Sequence, residues 1–278
     1  LSCQNLPSSK TADLDVLFEN YYQGTLELYR INATYQGDSR YNDTLPNFLS
    51  DEFKAKEKAF YTSYLNDLNQ FEDSSLSEEA LLSKNILKWE CEMALQGMEF
   101  LKDQMPIDQM WGFQLTMGQL ASGEGAQPFK TVTDYENWLI RIDGYLEWLD
   151  SAKQKMEAGM KSGWVLPKSL VTKVIPQLKR MTVTELEKHL FYQPALNFPA
   201  DFDSETQKRF QDSYADMVLN KIVPAYQKLT DFMESEYFQA ARESSGFGAL
   251  EGGKEYYQYA IKHYTTTDMT ANEIHELG

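Results

Sequence analysis

Apolar residues recur at intervals of three and four along most of this chain, and that spacing restricts the fold more than any other feature of the sequence. In one typical stretch, Ser75 and Glu78 form a capping-box pattern at the start of a predicted helix. The predicted buried stripe of that helix consists of Leu82, Ile86, Trp89, Met93 and Phe100. No stretch alternates apolar and polar residues over the length of a strand, and no repeat of fixed period is present. The sequence therefore predicts an all-α fold, a multi-helix lobe of long amphipathic helices.

Capping residues and glycines divide this pattern into separate helices. Thr133, followed three residues later by Glu136, indicates the start of a long helix, and Gly163 indicates its end. Two glycine-containing loops, residues 123–129 and 247–250, are the places where one minor hairpin could form. The fold prediction therefore allows for one small departure from an all-helical chain.

The charge of the chain excludes one class of partner. There are 42 acidic and 26 basic side chains, which gives a formal net charge of −16. This charge repels a phosphate backbone, and no cluster of basic and aromatic residues offsets it, so nucleic acid is excluded. Hydrophobic residues make up 42% of the sequence, enough for a packed core, and no apolar run approaches the length of a membrane span. We expect a tether over residues 1–10 and one helical domain over residues 11–278.

The two cysteines have different settings. Cys3 follows Leu1-Ser2 and precedes a serine-containing stretch, which is typical of the end of a bacterial lipobox, where the cysteine carries lipid. An ordinary free cysteine at the chain end and a disulfide with Cys91 are the alternatives. Cys91 lies in a helical stretch, where a small thiol packs as an apolar residue. Lipidation at Cys3 would place the protein in the cell envelope, with a lipid anchor as its only contact with a membrane.

The chain contains three histidines, and none has a complete set of metal ligands nearby in sequence. His275-Glu276-Leu277-Gly278 matches four of the five positions of a His-Glu-Leu-Gly-His zinc motif, in which two histidines share a helix face. The alternative is an ordinary helix start, with Thr270 and Glu273 as its capping box. His189 is expected near the end of a short helix, where an imidazolium interacts favourably with the terminal carbonyl groups, and a structural or solvent role is favoured.

An acidic segment, Asp201-Phe-Asp203-Ser-Glu205, resembles the start of a calcium-binding loop. Its sixth position is Thr206 instead of the glycine that the sharp turn of such a loop needs. The alternative is that the carboxylates lie at the start of a helix, where the helix dipole stabilises them. No serine or cysteine has the setting of a nucleophile.

A tyrosine-rich segment near the end of the chain is the best candidate for a binding surface. Hydroxyl groups and one imidazole occur together there, and they could contact a ligand; the candidate residues are Tyr256, Tyr257, His263, Tyr264, Thr265 and Thr266. The alternative is a tyrosine-rich packing face whose hydroxyl groups find partners within the protein.

Four segments together resemble a bacterial family, the domain of unknown function 885, whose members are often lipoproteins or secreted. The first includes Ala33-Thr34-Tyr35-Gln36-Gly37-Asp38, Tyr41-Asn42-Asp43 and Leu45-Pro46; the second is residues 129–139 with Arg141; the third ends in Gly163-Trp164-Val165-Leu166-Pro167. The fourth and most specific is made of Gly252-Gly253, Tyr256-Tyr257, His263-Tyr264-Thr265-Thr266-Thr267-Asp268-Met269-Thr270 and Glu273-Ile274-His275-Glu276-Leu277-Gly278. The resemblance covers nearly the whole chain.

This resemblance implies a helical fold akin to that of gluzincin zinc metallopeptidases. In the family, a His-Glu-x-x-x-Gly-His-His-like metal motif is expected downstream of the Ile-His-Glu-Leu-Gly segment, which ends here at Gly278. No catalytic or metal-binding residue can therefore be assigned within this sequence, and no cofactor is expected in this chain. The resemblance implies zinc and a peptide substrate for the full-length protein. Because the tyrosine-rich segment is nearest in sequence to the missing metal motif, we expect it to line the cleft.

Two other functions remain open from the sequence. The first is a non-enzymatic surface lipoprotein that binds a glycan or a peptide on its aromatic residues, which include 5 tryptophans and 17 tyrosines. The second is a helical scaffold, for which a repeat would be expected. On the leading interpretation, this chain is the N-terminal helical part of a zinc-peptidase-like envelope lipoprotein and is inactive alone.

Overall fold

A computed structural model describes residues 9–278, with side chains described from Asp13 onwards. The tether predicted for residues 1–10, with Cys3, therefore lies almost wholly outside the described residues. The α-helices are α1 (Ser9–Leu28), α2 (Arg30–Tyr35), α3 (Asp51–Leu68), α4 (Glu78–Gly97), α5 (Phe113–Ala121), α6 (Val132–Ser162), α7 (Lys168–Lys179), α8 (Ser204–Met217), α9 (Val223–Phe232), α10 (Phe238–Ala240), α11 (Gly253–Thr265) and α12 (Ala271–Leu277).

The prediction of an all-α fold is confirmed. From residue 9 to residue 278 there is no strand, and an isolated bridge between Pro167 and Arg242 is the nearest approach to one. The loop at 123–129 consists of bends and irregular backbone, and Phe247–Ala249 is a single 3-10 turn. The expected hairpin is therefore absent from both loops, because neither is flanked by residues that pair as strands.

The helices form two compact units. Of the residues that the structure describes, the first unit contains 9–29, together with Asp51–Phe100 and Glu255–Gly278. The second contains Arg30–Ser50 and Leu101–Lys254. That residues 11–278 form a single domain stays a prediction.

The core of the first unit lies between α1, α3 and α4, and its buried residues are Leu14, Tyr21, Tyr61, Leu68, Ala80, Leu87 and Cys91. The expected stripe of α4 is only partly right, because Leu82 and Ile86 are 61% and 58% exposed. The face that enters the core instead contains the buried Lys84, whose Nζ donates to Asp73 Oδ1 at 2.7 Å. The apolar pattern did not reveal this face because one of its core positions is a lysine. The aliphatic part of such a side chain packs in the core while its amine binds a polar partner.

In the second unit, α6 is the central helix. It begins after Thr131, whose hydroxyl accepts from Asp134 N at 3.2 Å while the Asp134 carboxylate accepts from Thr131 N at 2.9 Å. The cap therefore precedes the predicted Thr133 by two residues, because this pair completes both hydrogen bonds of a capping box. The buried face of α6 includes Tyr135, Trp138, Arg141, Ile142, Tyr145, Trp148, Leu149, Ala152 and Met156.

Candidate functional site

The candidate site lies at the corner between α11 and α12, within the first unit. Tyr259 fixes α11 to α4, since its buried hydroxyl donates to Met93 O at 2.9 Å. The Phe100 ring lies 5.1 Å from the Tyr259 ring and 5.4 Å from the Tyr256 ring. Burial raises the pKa of both tyrosines above the ordinary value. Tyr256 is therefore half-buried in a packing contact, as the alternative reading of the segment expects.

The remaining candidates of α11 face solvent. Tyr264 is 83% exposed and Tyr257 is 49% exposed, and their offset of seven positions places both on one side of the helix. His263 is also exposed, and its ring stacks on Tyr259 with 5.9 Å between centroids. The Tyr264 ring meets His263 edge-on at 4.9 Å. The structure therefore exposes one imidazole and two phenol groups on α11, of which His263 and Tyr264 are in contact.

A threonine turn follows directly and ends α11. Thr265 Oγ1 donates to Ile261 O at 2.8 Å and accepts from Thr267 N at 3.2 Å. Thr266 has a φ of +57°, a left-handed conformation that a β-branched residue rarely adopts. Such backbone strain is concentrated at functional sites, and here it falls between the exposed aromatic residues and α12.

The last helix, α12, begins with a complete capping box. Thr270 Oγ1 accepts from Glu273 N at 3.3 Å, and the Glu273 carboxylate accepts from Thr270 N at 2.7 Å. The backbone hydrogen bond from Thr270 lowers the pKa of Glu273. The capping box expected for Thr270 and Glu273 is therefore confirmed, and His275 and Glu276 lie exposed in the helix that it starts.

His189 differs from its predicted setting. The backbone around it forms 3-10 turns, Leu186–Lys188 and Leu190–Leu196, instead of a short helix. The ring is fully buried; Nε2 is 3.2 Å from Met181 O, and Nδ1 accepts from Phe191 N at 3.2 Å. Burial lowers the pKa of His189, so the ring is neutral at pH 7 and caps the start of a turn. The ring therefore has a structural role, but as a neutral imidazole in a turn and not as the expected imidazolium at a helix end.

The donor set does not fit a zinc ion. Within residues 9–278, no group of three or more His, Cys, Asp or Glu side chains could hold a metal. Both ring nitrogens of His189 already have hydrogen-bond partners in the protein. The ring of His263 packs on the ring of Tyr259. The acidic segment is also explained without a metal, because Asp203 caps α8 by accepting from Thr206 N at 2.8 Å. The chemistry that this corner offers is hydrogen bonding and aromatic stacking.

Trp111 is an exposed aromatic residue that the sequence pattern did not indicate as a candidate. Trp111 is 85% exposed, and its neighbour Met110 is 64% exposed. The turn that presents them is fixed by Asp108, whose Oδ1 accepts from Met110 N at 2.7 Å and from Trp111 N at 2.6 Å. Gln114 Nε2 also donates to Asp108 O at 2.5 Å. The available signal was an aspartate two residues before Met110 and three residues before Trp111, since Asx turns form at that spacing.

Comparison with known proteins identifies the family. Residues 31–278 match the family described as "Bacterial protein of unknown function (DUF885)", and the chain belongs to that family. It is similar in fold to the crystal structure of "the putative lipoprotein from Colwellia psychrerythraea", with a TM-score of 0.78 and 18% sequence identity. That match covers 96% of this chain and 48% of the solved one, so the chain spans about half the length of its solved relative. No curated protein matches the chain.

The length and hydropathy of the described helices show whether any of them could span a membrane. None of the helices from α1 to α12, as far as the structure describes them, has the length and apolar character needed to cross a bilayer.

Proposed function

We propose that this chain is the helical part of a longer bacterial envelope lipoprotein with a zinc-peptidase-like active site. The main observation behind the proposal is that this chain covers only 48% of the solved relative, so about half of that relative has no counterpart here. Membership of the family supports it, because the resemblance implies a gluzincin-like protein whose metal motif follows the last segment matched here. The described residues offer no zinc ligand set, so the metal ligands would come from the other part of the protein.

In this proposal, the corner between α11 and α12 forms one wall of the substrate cleft. An extended peptide presents backbone N–H and C=O groups, which phenol, hydroxyl and imidazole groups can bind. Tyr257, His263 and Tyr264 supply such groups on an exposed surface, and Thr265 and Thr266 continue it. Because these residues bind without activating water, this chain alone would not cleave peptides.

Attachment to the envelope would depend on Cys3. The Leu1-Ser2-Cys3 sequence fits the end of a lipobox, and the solved relative is itself described as a lipoprotein. Lipid on Cys3 would hold the helical part at a membrane surface that it does not span. The net charge of −16 favours peptide over nucleic acid as the bound polymer.

The test uses the longer protein, which contains this chain. The substitutions Tyr257→Phe, Tyr264→Phe and His263→Asn remove hydrogen-bonding groups from the proposed wall. We expect KM for peptide hydrolysis to rise about three- to tenfold for each, since one hydrogen bond contributes roughly 1 kcal/mol. Tyr22→Phe is the matched control, because Tyr22 is 45% exposed on α1 of the same unit. Unchanged hydrolysis in all three variants would remove the corner from the cleft.

A non-enzymatic binding function is the second candidate, and Trp111 is the observation that favours it. An 85% exposed indole on a turn fixed by Asp108 is a stacking platform suited to a sugar ring or a peptide side chain. If this function is right, soluble oligosaccharides or peptides change the tryptophan fluorescence of the chain, and Trp111→Ala abolishes the change. Binding that persists in Trp111→Ala would exclude this platform.

A further inference from the structure

An apolar seam runs along one side of α4, opposite the face that enters the core of the first unit. Leu82, Ile86, Trp89 and Met93 recur at helical spacing on α4, and Phe100 adjoins them three residues after the helix ends at Gly97. We use the term α4 seam for this set. Its C-terminal part is covered by α11, through the contacts of Phe100 and Met93 with Tyr259. Its N-terminal part is not covered, since Leu82 is 61% exposed and Ile86 is 58% exposed.

The register between α4 and α11 explains where the cover ends. Phe100 meets Tyr256 and Tyr259, whereas Trp89 lies under the Nζ of Lys262, 5.3 Å from its ring centroid. The two helices therefore run antiparallel. Helix α11 ends at Thr265, three residues after Lys262, which is less than one helical turn. Helix α11 therefore ends before it reaches Leu82, which lies seven residues before Trp89 on α4.

On α4 itself, the ionisable side chains beside the uncovered part of the α4 seam are all acidic, whereas Lys262 of α11 lies over Trp89 at the covered end. At the helical neighbour positions of Leu82 and Ile86, three to four residues away, the ionisable side chains are Glu78, Glu79 and Glu90. A partner helix with lysine or arginine beside its apolar stripe would be complementary to this rim. A second copy of the same surface would instead oppose carboxylate to carboxylate, which disfavours self-association.

We propose that the uncovered part of the α4 seam is the docking site for an amphipathic, basic-rimmed helix from the part of the full-length protein that lies outside this chain. This inference rests on the part of the proposed function that makes this chain one portion of a longer protein. Three observations support this occupant. The seam continues an interface that α11 already forms, its rim is acidic, and about half of the solved relative lies outside the region that this chain matches.

The experiment measures the alkylation rate of a thiol introduced by Ile86→Cys, in a Cys3→Ser background, in both the 278-residue chain and the full-length protein. Cys91 should not react with the alkylating reagent, since it is fully buried and burial raises the pKa of its thiol to about 12. We expect the rate at position 86 to fall about tenfold or more in the full-length protein, as covered thiols react slowly. Val16→Cys is the matched control, because Val16 is 60% exposed on α1 of the same unit, and its rate should stay equal in both proteins.

Glu78→Lys with Glu79→Lys tests the charge of the occupant. If the docked helix has a basic rim, this pair of substitutions restores much of the alkylation rate at position 86 in the full-length protein. Equal alkylation of Ile86→Cys in the two proteins overturns the proposal. Protection that appears in the 278-residue chain alone and increases with its concentration also overturns it, because the occupant is then a second copy.

The same preparations separate this inference from the proposed function. A full-length protein that protects position 86 but contains no zinc and cleaves no peptide supports docking and contradicts the peptidase. A zinc-containing, active full-length protein in which position 86 stays reactive contradicts docking alone.

Discussion

The guanidinium group of Arg141 donates a hydrogen bond to the carbonyl oxygen of Tyr41, 100 residues earlier in the chain. Arg141 is fully buried in the second unit, and its Nη1 also donates to Gln127 Oε1 at 2.6 Å. Burial lowers the pKa of Arg141 to about 10, which leaves the side chain charged at neutral pH, and the charge of Asp43 acts in the opposite direction to burial. One side chain on α6 thus holds the turn after α2 and the loop before α6.

Replacement of Arg141 should therefore destabilise the protein strongly. Arg141→Ala leaves a cavity and removes the donor to the buried Gln127 Oε1, whereas Tyr41 O still accepts from Thr44 N at 3.2 Å. We therefore expect the free energy of unfolding to fall by about 3 kcal/mol or more. Arg141→Lys should recover only part of this loss, because an ammonium group cannot reach both acceptors as the planar guanidinium does. Urea unfolding measures both changes. Arg209→Ala is the control: its exposed ion pair with Glu136 should contribute less than about 1 kcal/mol.

Gly144→Ala tests the close approach of the same turn to α6. A Cβ at Gly144 would lie 2.6 Å from the backbone oxygen of Leu45, which cannot move as a side chain could. We expect a loss of about 1–3 kcal/mol in the free energy of unfolding, as for other overpacked sites. Gly246→Ala is the matched control, because a Cβ there meets no atom within 4 Å. Equal stability of the two variants would contradict this packing.

The buried His189 predicts a loss of stability in acid. Above pH 6.5 the ring is neutral in both the folded and the unfolded chain, so it adds no pH dependence. Below that pH the unfolded chain binds a proton while the folded chain, with its lowered pKa, does not. The free energy of unfolding should then fall by up to about 1.4 kcal/mol per pH unit until the folded pKa is reached.

His189→Asn isolates this effect, since asparagine can still cap the turn through its side-chain oxygen but does not titrate. Urea unfolding at several pH values between 4 and 7 should show a smaller acid loss in His189→Asn than in the wild type. The exposed His263 supplies the control, and His263→Asn should leave the wild-type profile in place. Identical profiles for His189→Asn and the wild type would contradict a neutral buried ring.

Thr266→Gly should stabilise the corner between α11 and α12. Glycine adopts a φ of +57° without the steric cost that a β-branched residue incurs, and we expect a gain of about 0.5–1 kcal/mol. The protection of the Thr266 amide, which donates to Lys262 O at 2.9 Å, reports this locally by hydrogen exchange. Thr267→Gly, without a positive φ to relieve, should lower the protection instead. A loss in both variants would show that the turn is not strained.

The sequence predicted the fold class because helical periodicity and caps are local properties. The capping box of Thr270 and Glu273 needed only residues close in sequence, and it is present as expected. The buried face of α4 was misassigned because this helix has two apolar sides, and periodicity cannot tell which one enters a core. Lys84 made the true core face look polar, although its amine has a partner in Asp73.

The candidate site was predictable in composition but not in arrangement. Tyr256 and Tyr264 are eight residues apart on one helix, yet the first packs on Phe100 and the second is 83% exposed. That difference depends on the position of α4, which is a tertiary contact. The strain at Thr266 was equally hidden, because no local signal predicts a threonine with a positive φ.

Zinc content is the measurement that tests the central claim most directly. Purified samples of the 278-residue chain and of the full-length protein would be loaded with zinc, dialysed and analysed for bound metal, and the same samples would be assayed for peptide cleavage. The account predicts one tightly bound zinc ion per full-length molecule, with cleavage, and neither zinc nor cleavage for the 278-residue chain. Stoichiometric zinc and peptide cleavage in the 278-residue chain by itself would contradict it.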